Sequence, residues 1–109
     1  MKKSSSAAVV IFVTASSDKE ASRIGRTLVR ERLAACVTSL RGVKSEYRWK
    51  GKLERATEVL LMIKTMRRTL TRLTKRVREL HSYEVPEILA LPVLGGNADY
   101  LQWLRESVR

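Results

Sequence analysis

Two stretches of this sequence are apolar without the polar alternation of a half-wetted strand: residues 7–15, Ala-Ala-Val-Val-Ile-Phe-Val-Thr-Ala, and Val59-Leu60-Leu61-Met62-Ile63 within residues 58–65. Runs this short and this rich in β-branched side chains read as strands buried on both faces. They must therefore lie at the centre of a sheet, and everything else in the chain has to be arranged to cover them.

The segments between supply the cover. Ser16, Ser17 and Asp18 are helix N-cap types, and Ala21, Ile24 and Leu28 follow at spacings of three and four, predicting a helix that ends near Leu33. Gly25 inside it costs about 1 kcal/mol against alanine, which a close approach of helix to sheet would justify. Residues 36–40 are β-prone, and Arg41-Gly42 reads as a break. Residues 44–49 alternate, with Tyr47 and Trp49 on one face and Glu46 and Arg48 on the other, and Lys50-Gly51-Lys52 is a turn leading back into the second apolar strand. Leu70, Leu73, Val77 and Leu80 mark a second helix. Residues 88–94 form a strand whose Pro92 should place it at an edge or end it soon, and Asn97 caps a last helix bearing Leu101, Leu104 and Val108.

The order is strand, helix, strand, strand, helix, strand, helix. Right-handed crossovers and two central apolar strands select an α+β, ferredoxin-like βαββαβ sandwich with a C-terminal helix and an antiparallel sheet of order 4-1-3-2. Both main helices then share one sheet face. The other face keeps apolar residues and has at most the short last helix to cover it. The long hairpin overhangs the sheet as well, and such an edge pairs readily with another chain. Both points predict a homo-oligomer. The expected organisation is a disordered tail over residues 1–7 and a single domain over residues 8–109.

With 109 residues there is no room for a second domain, and no apolar run approaches the roughly 20 residues of a membrane span. Lys2 and Lys3 before the first apolar run resemble a leader, but cleavage after it would remove a central strand. Cys36 is the only cysteine, so no intrachain disulfide can form, which suits a reducing compartment. The expectation is a cytoplasmic protein with no membrane partner. The net charge of +11 favours anionic partners. Arg23, Arg26, Arg30 and Arg32, with Arg67, Arg68, Arg72, Lys75, Arg76 and Arg78, would make the outer surface of the helices an arginine-rich plate. That plate carries the alternative function, a basic nucleic-acid- or phosphate-binding module. Nucleic acid is nonetheless disfavoured as a partner, because the central strands lack the stacking aromatics of an RNA-recognition sheet: Phe12 is alone on the first strand and the third has none.

His81, the sole histidine, is the candidate metal ligand, with Glu84 and Glu87 following at intervals of three. One imidazole and a carboxylate fall short of the three or four ligands zinc or copper takes, unless other subunits contribute. Cys36 between Ala35 and Val37 reads as a small buried hydrophobe, or as a soft ligand if a partner is near. The aromatics Tyr47, Trp49, Tyr83, Tyr100 and Trp103 read as interface anchors. Lys64 ends a buried strand, so its ammonium must reach water or a carboxylate.

Six segments together resemble the CutA family: Phe12-Val13-Thr14-Ala15, Arg32-Leu33-Ala34-Ala35-Cys36-Val37, Tyr47-Arg48-Trp49-Lys50-Gly51-Lys52, Glu58-Val59-Leu60-Leu61-Met62-Ile63-Lys64-Thr65, His81-Ser82-Tyr83-Glu84-Val85-Pro86-Glu87-Ile88 and Tyr100-Leu101-Gln102-Trp103-Leu104. The resemblance implies a ferredoxin-like fold closed into a homotrimer, similar in architecture to the PII signalling proteins. It implies a role in tolerance of divalent metal ions, copper above all, with no enzymatic reaction and no required cofactor. It also places Lys64, His81, Tyr83 and Glu84 around a cleft between subunits, to which Cys36, Tyr47 and Trp103 are added here as candidate lining residues. Val13 and Leu80 stand where the copper-linked bacterial member has a cysteine and a second histidine. Ser82 replaces a usual proline, which is expected to loosen the loop after His81.

Overall fold

A computed structural model describes residues 7–109. The elements are β1 (Ala8–Ala15), α1 (Asp18–Arg30), β2 (Cys36–Trp49), β3 (Lys52–Met66), α2 (Leu70–Leu80), β4 (Ile88–Pro92) and α3 (Ala98–Ser107). All strand pairings are antiparallel and the order is β2-β3-β1-β4, the expected 4-1-3-2 read from the other edge. The tail expected over residues 1–7 lies outside the described residues except for Ala7, whose carbonyl accepts from Arg67 N at 2.7 Å.

Strand alternation divides the sheet cleanly. Val9, Ile11, Val13 and Ala15 of β1 and Val59, Leu61 and Ile63 of β3 point to one face, where Ala21, Ile24 and Leu28 of α1 and Leu73 and Val77 of α2 close the core. Gly25 belongs to this contact. A Cβ there would stand 3.3 Å from Val37 Cγ1, so the glycine lets α1 lie against β2.

α1 stops at Arg30 rather than near Leu33. Leu33 N bonds Leu28 O at 2.9 Å and Arg32 N bonds Val29 O at 3.0 Å, with Arg32 left-handed at φ 61°. This is the Schellman ending usually built on glycine. Arg32 adds a second contact, its guanidinium donating to the carbonyls of Glu106 (3.1 Å) and Ser107 (3.4 Å) at the end of α3. Arg68 and Arg72 donate to further carbonyls of residues 105–109, so three guanidiniums satisfy the end of α3 and meet its dipole.

The break expected at Arg41-Gly42 is a β-bulge. The register slips between Leu40 and Val43, Gly42 takes φ 69°, and β2 runs on as one strand. β4 ends at Pro92 instead of Leu94, since proline has no N–H to offer the ladder. It pairs only with β1, as an edge strand.

Among the described residues, the opposite face is covered at one end only, where Leu104 of α3 and Val108 just after it pack with Ala35, Met66 and Ala8. Beyond it, Phe12 stands opposite both Met62 and Leu89, and Val10 opposite Leu91. Leu40, Leu89 and Leu91 are 48%, 57% and 42% exposed, a contiguous apolar surface. β1 pairs with β3 only over residues 59–66, so, among the described residues, 52–58 have β2 as their sole strand neighbour and form an arm about 23 Å long. Its tip is a tight turn with Lys50 at φ 51° and Gly51 at φ 79°.

Candidate functional site

A groove of about 750 Å³ lies where the root of the arm meets the loop after α2. β2 contributes Lys44, Glu46, Tyr47 and Trp49, β3 contributes Glu58, and the loop contributes Tyr83, Glu84 and Glu87. The cavity is thus aromatic and acidic, in a protein that is otherwise strongly basic.

Behind it, His81 is fixed from both sides. Its Nε2 lies 2.7 Å from the carbonyl oxygen of Thr14, and its Nδ1 accepts from Tyr83 N at 3.0 Å. A carbonyl needs a donor and an amide N–H needs an acceptor, so the imidazole is the neutral tautomer with its proton on Nε2. The ring is fully buried. Neither nitrogen has a free lone pair facing the groove.

Glu20 is the residue that sequence reasoning missed. It is buried near the start of α1, with Oε2 3.8 Å from His81 Nδ1. Oε1 accepts from Ser16 N (2.9 Å) and Ser16 Oγ (2.8 Å), and Oε2 from Ser82 N at 2.6 Å. Burial alone would raise its pKa, but these donors overcome burial and hold it at about 2. The available signal was the capping pattern Ser17-x-x-Glu20, whose serine hydroxyl accepts from Glu20 N at 3.1 Å. The expectation that Ser82 loosens the loop is corrected here. A proline has no N–H for Glu20, whereas Ser82 ties the loop to α1.

Tyr83 packs on His81 with ring centroids 4.7 Å apart and donates its hydroxyl to Glu58 Oε2 at 2.6 Å. Burial, and then the bond to Glu58, push the phenol well above its ordinary pKa. Burial likewise raises the carboxyl of Glu87, with the charge of Glu58 adding to it.

The other candidates sit elsewhere in the chain. Cys36 Sγ is 3.8 Å from Tyr100 OH, and Tyr100 packs against Trp103 at 5.5 Å. Lys64 is opposite Cys36 in the ladder, and its ammonium is met by Thr38 Oγ1 at 2.6 Å and the Met62 carbonyl at 3.3 Å, not by a carboxylate. One chain therefore brings Tyr47, Tyr83 and Glu84 together in front of His81. It keeps Cys36, Lys64 and Trp103 in a second group, about 20 Å away along β3. Among the described residues, no three His, Cys, Asp or Glu side chains converge to hold a metal ion.

Comparison with known proteins agrees with this architecture. The family model described as CutA1 divalent ion tolerance protein matches residues 9–107. The divalent-cation tolerance protein CutA of Thermus thermophilus is 47% identical over 98 residues, covering 90% of this chain and 95% of that protein. The rice protein CutA 1, chloroplastic, is 43% identical over 93% of this chain, which spans only 57% of the rice protein. The crystal structure of CutA1 from Oryza sativa superimposes with a TM-score of 0.93 at 40% identity, covering 98% of each chain. This chain belongs to the CutA1 divalent ion tolerance protein family.

Proposed function

We propose that this chain is a non-enzymatic, cytoplasmic divalent-cation tolerance protein that works as a homotrimer, with a cleft for an ion or small ligand between subunits. The observation that carries this reading is the sheet face left open beyond α3. Phe12, Met62, Leu40, Leu89 and Leu91 form a surface that a second copy of the same chain can cover. The arm of residues 52–58 projects past that face with an unpaired edge, ready to reach a neighbour. The names of relatives supply cation tolerance, and the acidic groove in front of His81 supplies a place for cationic or polar ligands.

Assembly would let the groove of one subunit meet the Cys36, Lys64 and Trp103 group of another. Ligands for a divalent cation such as copper would then come from more than one chain. His81 takes no direct part, because binding there would break its bonds to Thr14 and Tyr83.

Sedimentation equilibrium at micromolar concentration tests the assembly: a particle about three times the 12.4 kDa of one chain is expected, and a stable monomer overturns it. Calorimetric titration with Cu(II) tests the site. Heats unchanged in His81→Ala are expected, and their loss in a variant that remains folded would return the metal to that imidazole.

A further inference from the structure

The helical layer carries a feature that the cleft does not use. Lys19, Arg23, Arg26 and Arg30 follow one another on α1 at spacings of four, three and four, and all are exposed. At 100° per residue they fall within a narrow arc, opposite the buried Ala21, Ile24 and Leu28. No aromatic or large aliphatic side chain stands between them on that arc. Arg72, Lys75 and Arg78 extend the positive surface onto α2, which packs beside α1.

These charges are not spent on ion pairs. Among the described residues, Lys19, Arg26, Arg30, Lys75 and Arg78 have no carboxylate partner. Arg76 alone engages both Glu31 and Glu79, and Asp18 is held by Arg41. Arg23 gives one N–H to the carbonyl of Leu80 at 2.7 Å. The surface also faces away from the open sheet face, so the assembly proposed above would leave it accessible.

We infer that this stripe binds the phosphate backbone of a nucleic acid duplex without reading its sequence. Four cations spread over twelve residues of helix cover about 16 Å, the axial length of about five phosphates on one strand of a duplex. A linear array of that density matches a linear polyanion, and guanidiniums suit phosphate oxygens. A single strand would call for aromatic platforms, and α1 and α2 contain no Phe, Tyr or Trp. A membrane surface would call for apolar side chains to insert, which the arc does not hold. The missing aromatics of the sheet, which argue against base stacking, have no bearing on a backbone contact made by the helices.

The test is fluorescence anisotropy of the full chain with a labelled duplex of arbitrary sequence, about two helical turns long, in 50 and 200 mM NaCl. Four phosphate contacts predict that affinity falls about 100-fold between the two salts. Arg26→Glu with Arg30→Glu should weaken binding at least tenfold at 50 mM and flatten the salt slope by about two. Lys50→Glu with Lys52→Glu changes the net charge equally at the tip of the arm, and should cost less than threefold. If the reversed pair does not fold, Arg26→Gln with Arg30→Gln replaces it, with a slope flatter by about two still expected. No binding at 50 mM, equal losses in the two charge-reversal pairs, tighter binding of single-stranded DNA, or binding to anionic phosphatidylglycerol vesicles in place of the duplex would each overturn the inference.

Discussion

Ser82 donates its backbone N–H to Glu20 Oε2 across 2.6 Å and so joins the loop after α2 to the first turn of α1. The carboxylate is buried and takes two further donors from Ser16. Its folded pKa of about 2 lies below its ordinary value of 4.5, so the ionised form is favoured by folding. The stability it contributes is fully present above pH 4.5 and is lost as the pH falls towards 2. Denaturant melts across that range should show a decline of up to about 3 kcal/mol that Glu20→Gln removes. An identical acid profile in the variant would mean that Glu20 is not the group involved.

Tyr83→Phe removes the phenolic hydroxyl and leaves the buried Glu58 carboxylate without its 2.6 Å partner. A hydrogen bond to a charged group contributes about 1.5–3 kcal/mol. Urea unfolding should show a loss of that size, with the wall of the groove loosened. A change below about 0.5 kcal/mol would mean that water replaces the hydroxyl at no cost.

Gly25→Ala sets two effects against each other. Alanine improves the helix by about 1 kcal/mol, while the new methyl presses on Val37 Cγ1 at 3.3 Å. The thermal midpoint should barely move. Gly25→Leu has no such compromise and should cost several kcal/mol, read in the same calorimetric scan.

Arg32→Gly and Arg32→Ala separate strain from contact. Both lose the bonds to Glu106 and Ser107, but only alanine keeps a Cβ at φ 61°. The glycine variant should be the more stable of the two by about 1 kcal/mol in urea. Equal stabilities would show that the left-handed position carries no penalty.

Leu89→Glu places a charge on the open sheet face, on edge strand β4 opposite Phe12. It should leave the helix-covered core intact while lowering the sedimenting mass towards 12.4 kDa. An unchanged mass would remove this face from the assembly.

The framework was legible because its signals are local. β1 and β3 announce themselves by unbroken apolar runs, α1 and α2 by stripes three and four apart, and the close contact at Gly25 by a helix breaker that a core position tolerates. Gly42 misled, since a glycine that ends a strand and one that admits a bulge look alike without the partner strand. The surroundings of His81 could not be read for a different reason. Glu20 lies 62 residues from Ser82 in sequence, and Thr14 lies 67 from His81. A histidine whose partners are a distant backbone carbonyl and a neighbouring amide leaves no motif. The candidate cleft is expected between subunits, and one chain holds its residues as two groups; nothing in the local pattern of Cys36 or Lys64 records that separation.

The inward-turned ring of His81 has a practical corollary. As the sequence contains one histidine, the native surface offers no imidazole at all. A nickel-charged resin should let the untagged protein pass, and diethyl pyrocarbonate should leave that side chain unmodified until denaturant opens the fold.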